Sequence, residues 1–279
     1  MKITCWGARG SIAVSGKDYV KYGGDTTCVE VRSKNNDIIV LDAGTGMRRL
    51  GNKLLASNER DLSILFTHAH WDHLMGFPFF KPIYMKGTSI AMYGCPYAQK
   101  SVKAMVGNTM AAPYFPVDYG LLQAEISSHS VCTESFQIGP VTITPIALSH
   151  PNMGIGYKFV EDGKSFVFLT DNELTHKHHG GLDYDDYLRF SEGADLLVHD
   201  AEYTPDQYAM TKGWGHSLYT DALRLAMDAK VRRFGLFHHN QDRTDEQQEK
   251  IVDDCRNIAQ EKKAQLSCFA LEPQMEISL

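Results

Sequence analysis

The sequence contains no apolar run that approaches the roughly 18 residues a membrane-spanning helix needs. Its first seven residues, Met-Lys-Ile-Thr-Cys-Trp-Gly, also lack the charged region and the apolar region of a secretory signal. We therefore expect a cytoplasmic protein that makes no contact with a membrane.

Cysteine is sparse, with six residues among 279 and no two at C-x-x-C spacing. This distribution argues against a structural zinc knuckle, and it predicts buried, reduced thiols of the kind found in cytosolic proteins. The six residues are Cys5, Cys28, Cys95, Cys132, Cys255 and Cys268.

An excess of positive charge is missing as well. The chain has 28 Lys and Arg against 34 Asp and Glu, which gives a formal net charge of −6. Affinity for nucleic acids comes largely from Lys and Arg that neutralise phosphates, so this balance disfavours a dedicated nucleic-acid binder. It leaves room for a local basic rim around a small phosphate site.

No internal repeat, low-complexity tract or linker divides the sequence, so we predict one domain over residues 1–279. Short β-like runs alternate with amphipathic segments, which is typical of a layered α/β fold. Strands are predicted at 2–6, 27–32, 37–41, 62–66, 141–147, 155–160, 165–169, 195–199 and 232–237, and helices at 44–55, 217–229 and 244–264.

The strongest chemical signal is the segment Thr-His-Ala-His-Trp-Asp-His at residues 67–73. His68 and His70 are two positions apart, so on an extended backbone they project to the same side. Asp72 and His73 follow where the next helix begins and can face the same cavity from another direction. Imidazole nitrogen and carboxylate oxygen are suitable donors for zinc or a similar divalent ion.

This segment resembles the H-x-H-x-D-H signature of metallo-β-lactamase-fold hydrolases. Further residues follow in that family's order: His150 after a β-like run, and Asp171 and His238 at strand ends. A single His at a strand end is often a packed core residue, and the neighbouring His239 competes with His238. The resemblance implies an αββα sandwich, in which two mixed sheets pack face to face with helices outside.

The same resemblance implies a pair of divalent metal ions, with zinc expected first and manganese or iron as alternatives. The carboxylate of Asp171 would be shared between the ions, and Asp42 would orient the loop without binding metal. The first ion would take His68, His70 and His150, and the second would take Asp72, His73 and His238.

The segments Val-His-Asp-Ala-Glu-Tyr at 198–203 and Trp-Gly-His-Ser at 214–217 look like paired elements of ribonuclease Z and its phosphodiesterase relatives. There the histidine contacts the scissile phosphate and protonates the leaving oxygen, a role that falls here on His216. Asp200 or Glu202 would orient His216. The residues expected to act in catalysis are His216, Asp200 and Asp72. The alternative is a helix-capping segment with a surface histidine.

Two members of that branch fit poorly. The tRNA-processing enzymes grip tRNA with a long arm, often inserted between the counterparts of His150 and Asp171, which here are only 21 positions apart. Phosphoribosyl cyclic phosphodiesterases carry a clustered Cys/His zinc site that this sequence lacks. The hypothesis is therefore a small phosphodiesterase that acts on a cyclic nucleotide or similar phosphodiester through a metal-bridging hydroxide.

Residues 74–149 are predicted to include an insertion that caps the substrate. The aromatic segment 77–84 could stack a base, or it could pack the lid or a dimer interface. Two other functions stay open: a lactone or thioester hydrolase on the same metal pair, and a nucleotide sensor without turnover. A homodimer is expected only because relatives commonly form one.

Overall fold

A computed structural model describes residues 1–97 and 100–279 and shows two β-sheets packed face to face. In the described ranges the first sheet contains seven strands in the order β14-β1-β2-β3-β4-β5-β6. Their bounds are β1 Lys2–Gly7, β2 Cys28–Arg32, β3 Ile38–Leu41, β4 Asp61–Leu65, β5 Ser89–Gly94, β6 Glu125–Ser130 and β14 Glu276–Ser278.

The second sheet repeats this arrangement, again with seven strands among the described residues, in the order β7-β8-β9-β10-β11-β12-β13. In each sheet three antiparallel pairings are followed by three parallel ones. The bounds are β7 Phe136–Ile138, β8 Val141–Leu148, β9 Gly154–Glu161, β10 Lys164–Leu169, β11 Leu196–Asp200, β12 Arg233–Phe237 and β13 Ser267–Ala270.

Helices cover the outer faces of both sheets. The side chains of β2 and β3 are buried throughout, as expected of strands packed on both faces. The described α-helices are α1 Met47–Ala56, α2 Trp71–Leu74, α3 Val102–Thr109, α4 Tyr184–Ser191, α5 Pro205–Thr211, α6 Tyr219–Asp228 and α7 Asp245–Glu261.

Three apolar layers hold the four structural layers together. The central one joins the sheets through residues such as Val31 and Leu41 on one side and Phe159 and Phe168 on the other. Two outer layers pack helices α1 and α3 on the first sheet, and α4, α6 and α7 on the second. The predicted αββα sandwich is confirmed.

All of the predicted strands and helices are present, with their ends shifted by at most a few residues. The sequence reading missed helices α3, α4 and α5 and strands β5, β6, β7, β13 and β14. Strand β6 is largely exposed at a sheet edge, so its sequence, Glu-Ile-Ser-Ser-His-Ser, lacks an apolar pattern. The missed strands are mostly short or at an edge, where burial imposes little pattern.

Part of residues 74–149 belongs to the sheets, since the segment contains β5 to β8. Within its aromatic stretch, Phe77 and Phe80 are fully buried against α1, and Phe79 is 57% exposed. Phe77 and Phe80 therefore pack the outer core and are not accessible to a base. The capping role of the remaining loops stays a prediction.

The expectation of six reduced thiols was wrong for two of them, because Cys95 and Cys132 form a disulfide. The reason is strand register: Gly94 pairs with Ser130 at the paired ends of β5 and β6. The cysteines lie just beyond this pair, with their Cα atoms 4.8 Å apart. The other four cysteines, all in the described ranges, are buried and free.

Within residues 1–97 and 100–279, none of the helices combines the length and the apolar character needed to span a membrane.

Candidate metal centre

The candidate site lies at the carboxyl ends of strands from both sheets, where ligand sites of open α/β sheets occur. Strand β4 leads through Thr67 to His68 and His70, and α2 carries Asp72 and His73. Because α2 begins directly after His70, Asp72 and His73 approach the site from a different direction than His68 and His70 do.

The second sheet supplies the remaining donors. His150 follows β8, Asp171 follows β10 and His238 follows β12. Within each of two groups, one donor atom from every residue lies within 4.8 Å of the others, and Asp171 belongs to both groups. The first group is His68, His70, His150 and Asp171, and the second is Asp72, His73, Asp171 and His238.

Donor spacing fits metal ions. Asp171 Oδ1 lies 3.3 Å from His73 Nε2, and its Oδ2 lies 3.3 Å from His238 Nε2 and 3.6 Å from His68 Nε2. Four donors at about 2.0–2.2 Å from a tetrahedral ion stand roughly 3.3–3.6 Å apart. Among the described residues, His68 Nε2 and His73 Nε2 are buried without a hydrogen-bond partner, a costly state that a bound cation removes.

The negative charge of the buried carboxylates also favours binding of cations at the site. Burial opposes ionisation of Asp171, but the adjacent rings of His238, His73 and His68 hold the pKa of its carboxyl well below the usual value. Asp72 behaves in the same way beside His73 and His238. Burial lowers the pKa of His150 to about 3, which leaves this imidazole neutral and able to donate a lone pair. Two ionised carboxylates buried together are stable only with positive partners.

Hydrogen bonds around the donors fix which ring nitrogen faces the centre, as is usual for metal-binding histidines. His73 Nδ1 donates to Asp42 Oδ2 at 2.8 Å, and Asp42 also accepts from the Thr67 backbone N–H at 2.7 Å. His150 Nδ1 donates to the Gly215 carbonyl at 2.9 Å. In both histidines Nε2 is therefore the nitrogen that faces the donor groups: it lies 3.0 Å from His70 Nδ1 in His150 and 3.3 Å from Asp171 Oδ1 in His73.

His238 and His239 occupy different environments. His238 Nδ1 donates to Glu202 at 2.9 Å, and its Nε2 lies 3.2 Å from Asp72 Oδ2. His239 Nε2 donates to the Leu271 carbonyl at 2.9 Å, away from the donor groups. The structure thus brings His238, and not His239, to the centre.

His216 lies against this centre without belonging to either group of four. Its Nδ1 donates to Asp200 Oδ2 at 2.7 Å and lies 3.5 Å from Glu202 Oε2, and its ring stacks on His238 with centroids 4.5 Å apart. Burial lowers the pKa of His216, but the carboxylates of Glu202 and Asp200 outweigh it and raise the pKa to about 9. Asp200 is thus the direct partner of His216, and Glu202 is the direct partner of His238.

Three residues of the site have left-handed backbone: Asp42 (φ 58), Asp171 (φ 52) and His238 (φ 56). Each follows the end of a strand, and the reversal turns its side chain out of the alternating strand pattern. A non-glycine residue in this conformation carries strain of about 1 kcal/mol or more, and such residues cluster at functional sites. Sequence spacing alone gave no sign of this feature.

Glu173 is a residue of the site that the sequence reading missed. Its carboxylate accepts the backbone N–H of Gly213 at 2.7 Å and of Gly215 at 2.8 Å, so it holds the loop that carries His216. Gly215 itself has φ 96, and a Cβ there would overlap the ring of His150. The close approach of a loop from elsewhere in the chain leaves no local pattern by which to find these residues.

Known proteins share this architecture. A family model described as the Beta-lactamase superfamily domain matches residues 37–239, a range that contains all seven donors and His216. A ribonuclease Z from Oceanobacillus iheyensis is 21% identical over 269 residues, covering 80% of this chain and 85% of the relative.

Solved structures agree on the fold. The metallo-β-lactamase fold protein YhfI from Bacillus subtilis superposes with a TM-score of 0.72 at 15% identity, covering 99% of this chain and 98% of that chain. A diphosphatase from the PhnP family gives a TM-score of 0.68 at 16% identity, covering 100% of this chain and 97% of that chain. At these identities the likeness establishes the fold alone.

Proposed function

Because the chain belongs to the β-lactamase superfamily, we propose that this metal-dependent hydrolase cleaves a small phosphodiester and that a cyclic mononucleotide is its substrate. The observation that carries the proposal is the pairing of His216 with Asp200 directly beside two four-residue donor groups that share Asp171. A hydrolase that expels an alkoxide needs an acid for the leaving oxygen, and His216 is suited to that task.

The choice of a phosphodiester has further support. The ribonuclease Z relative is, by its name, an enzyme acting on RNA, whose links are phosphodiesters. Two ions that share a carboxylate are suited to in-line displacement at phosphorus.

A small substrate fits the segment between His150 and Asp171. This fully described stretch contains β9, β10 and the turn between them, both strands being paired within the second sheet. No arm protrudes from these described residues, which favours a small substrate over a folded RNA.

Two divalent ions in these groups would supply activation of a water molecule and neutralisation of charge on the phosphate. The chain's own residues supply the rest. Asp42 and Glu202 hold the rings of His73 and His238 in place. Asp72 accepts the backbone N–H of Ser11 at 2.9 Å and, as an ionised carboxylate, can take a proton from the attacking water.

His216 acts on the leaving side. Its Nδ1 is engaged by Asp200, so Nε2 is the atom that delivers a proton to the departing oxygen. Asp200 fixes the ring orientation and stabilises the imidazolium, as a buried carboxylate does for a catalytic histidine.

We propose zinc as the native metal, since mixed imidazole and carboxylate donors suit it, with manganese or iron as alternatives set by supply. A cytoplasmic location and a homodimer complete the proposal. Metal analysis of protein purified from its own cells, together with light scattering, checks the metal and the oligomeric state.

Substrate class is tested with the zinc- or manganese-loaded protein on bis-p-nitrophenyl phosphate, a panel of cyclic mononucleotides, a lactone and a thioester. We expect both phosphodiester classes to be hydrolysed. Turnover of only the lactone or thioester would overturn the proposal in favour of an acyl hydrolase. Nucleotide binding without product would favour a sensor.

The variant Asp200→Asn should shift the pH profile of turnover. A general acid works while protonated, so activity falls as pH rises through the pKa of His216. The Asp200 carboxylate raises that pKa, and an amide does not, so the basic limb should move to lower pH by roughly one unit. Asp228→Asn, at the end of α6, is the control and should keep the wild-type limb. An unmoved limb in Asp200→Asn would remove His216 as the acid.

A further inference from the structure

A cleft of about 260 Å³ opens beside His216 and borders the loop that carries this histidine. Its lining combines apolar and neutral polar side chains, such as Met210 and Trp214, with the two carboxylates of Glu202 and Asp242. Among the described residues that line it, none is Lys or Arg. The cleft is therefore poorly suited to a second phosphate, and its size fits one planar ring system better than a whole nucleotide.

Trp214 combines an exposed side chain with a fixed backbone. The residue is 63% exposed, although an indole of this size is usually covered. Its neighbours Gly213 and Gly215 both donate their backbone N–H groups to the same carboxylate, that of Glu173. Tyr208 donates to Glu173 at 2.6 Å as well. The indole of Trp214 is thus exposed to solvent on a loop that these hydrogen bonds hold in place.

The position of the cleft indicates that it would contact the part of the substrate attached to the leaving oxygen. An acid must reach the leaving oxygen, so the leaving group lies on the side of His216. That is the side on which Trp214, two residues earlier in the chain, borders the cleft. Whatever is attached to the leaving oxygen would therefore lie beside the cleft that His216 and Trp214 both line.

We propose that Trp214 is a substrate-binding residue that stacks on the nucleobase of the nucleoside whose ribose carries the leaving oxygen. The inference rests on the proposed phosphodiesterase function and deepens it by naming the part of the substrate that is recognised. Every base has a flat face, so stacking favours nucleosides over other alcohols without selecting one base strongly. The half-buried side chain of Gln241 also borders the cleft, and its amide oxygen has no hydrogen-bond partner among the described residues.

The test compares cyclic adenosine monophosphate with a cyclic ribose phosphate that lacks the base. We expect Trp214→Ala to raise the KM for the nucleotide about 5- to 100-fold, the range for loss of one stacked base, with kcat changed much less. The base-free substrate should lose less than about twofold, and Trp214→Phe should keep most of the nucleotide affinity. Val20→Ala is the control, because Val20 is an apolar side chain that is 75% exposed and does not border the cleft.

Equal losses on both substrates, or no loss on either, would overturn the proposal. A binding measurement separates this result from failure of the proposed function. In a Trp71→Phe background, Trp214 is the only exposed tryptophan among the described residues, since Trp6 is buried. Adenosine monophosphate should then quench the fluorescence of the zinc-loaded protein, and glycerol phosphate should not. If the wild type hydrolyses no phosphodiester, quenching by the nucleotide alone still supports the base site, and its absence contradicts it.

Discussion

Replacing Asp171 with Ala should release both metal ions and abolish turnover. Asp171 belongs to both donor groups, with one oxygen 3.3 Å from His73 Nε2 and the other 3.3 Å from His238 Nε2. Loss of a residue that only supports a metal ligand costs about 10- to 100-fold in affinity, so loss of a shared ligand should cost more than about 100-fold for each ion. Metal content after dialysis and titration with a competing chelator measure this directly.

The control for backbone strain is Asp162→Ala in the turn between β9 and β10. Asp162 has φ 49, close to the φ of 52 at Asp171, but it is exposed and its ion-pair partner among the described residues is Lys34. An Ala in left-handed conformation should therefore cost similar backbone energy at both positions, and only Asp171→Ala should lose metal. Two ions retained in Asp171→Ala would contradict the shared-ligand assignment.

His216→Ala should keep both ions and lower the turnover of a cyclic nucleotide by about 10²- to 10⁴-fold, the usual contribution of a general acid. His216 is outside the two four-residue groups and contacts the centre through stacking on His238. Its removal therefore takes away a proton donor while the donor groups persist. Metal content and steady-state kinetics on the same samples test both statements.

The leaving group provides an internal control for His216→Ala. A p-nitrophenolate departs without protonation, so hydrolysis of bis-p-nitrophenyl phosphate should suffer much less than that of a cyclic nucleotide, which expels an alkoxide. Equal losses on the two substrates would assign His216 a positioning role. Loss of metal in the variant would make it a ligand, a possibility raised by its lying in a third cluster with Asp200 and His238.

The residues of the centre that local spacing could predict are those that lie close together in the sequence. His68, His70, Asp72 and His73 lie within six positions, and spacing alone indicated two donor sets from one loop. His150, Asp171 and His238 are isolated in the sequence, and only the order of elements in the family resemblance marked them. The structure brings all seven together.

Contacts between distant segments could not be predicted in this way. The Cys95–Cys132 disulfide depends on the parallel register of β5 and β6, which no local pattern specifies. The same is true of Glu173, which binds a loop 40 residues further along the chain. The aromatic segment 77–84 was ambiguous because a buried Phe and a base-stacking Phe are the same residue in sequence.

The repeated strand order of the two sheets has a consequence for survival of the protein under metal shortage. The loops that follow strands of the first sheet supply four donors, His68, His70, Asp72 and His73. The loops that follow strands of the second sheet supply three, His150, Asp171 and His238. Each ion would thus act as a reversible cross-link between the two sheets. Ligands that bind only the folded chain shift its unfolding equilibrium with their free concentration. Starvation for metal would therefore shorten the lifetime of the chain itself, and the amount of enzyme would follow the metal supply.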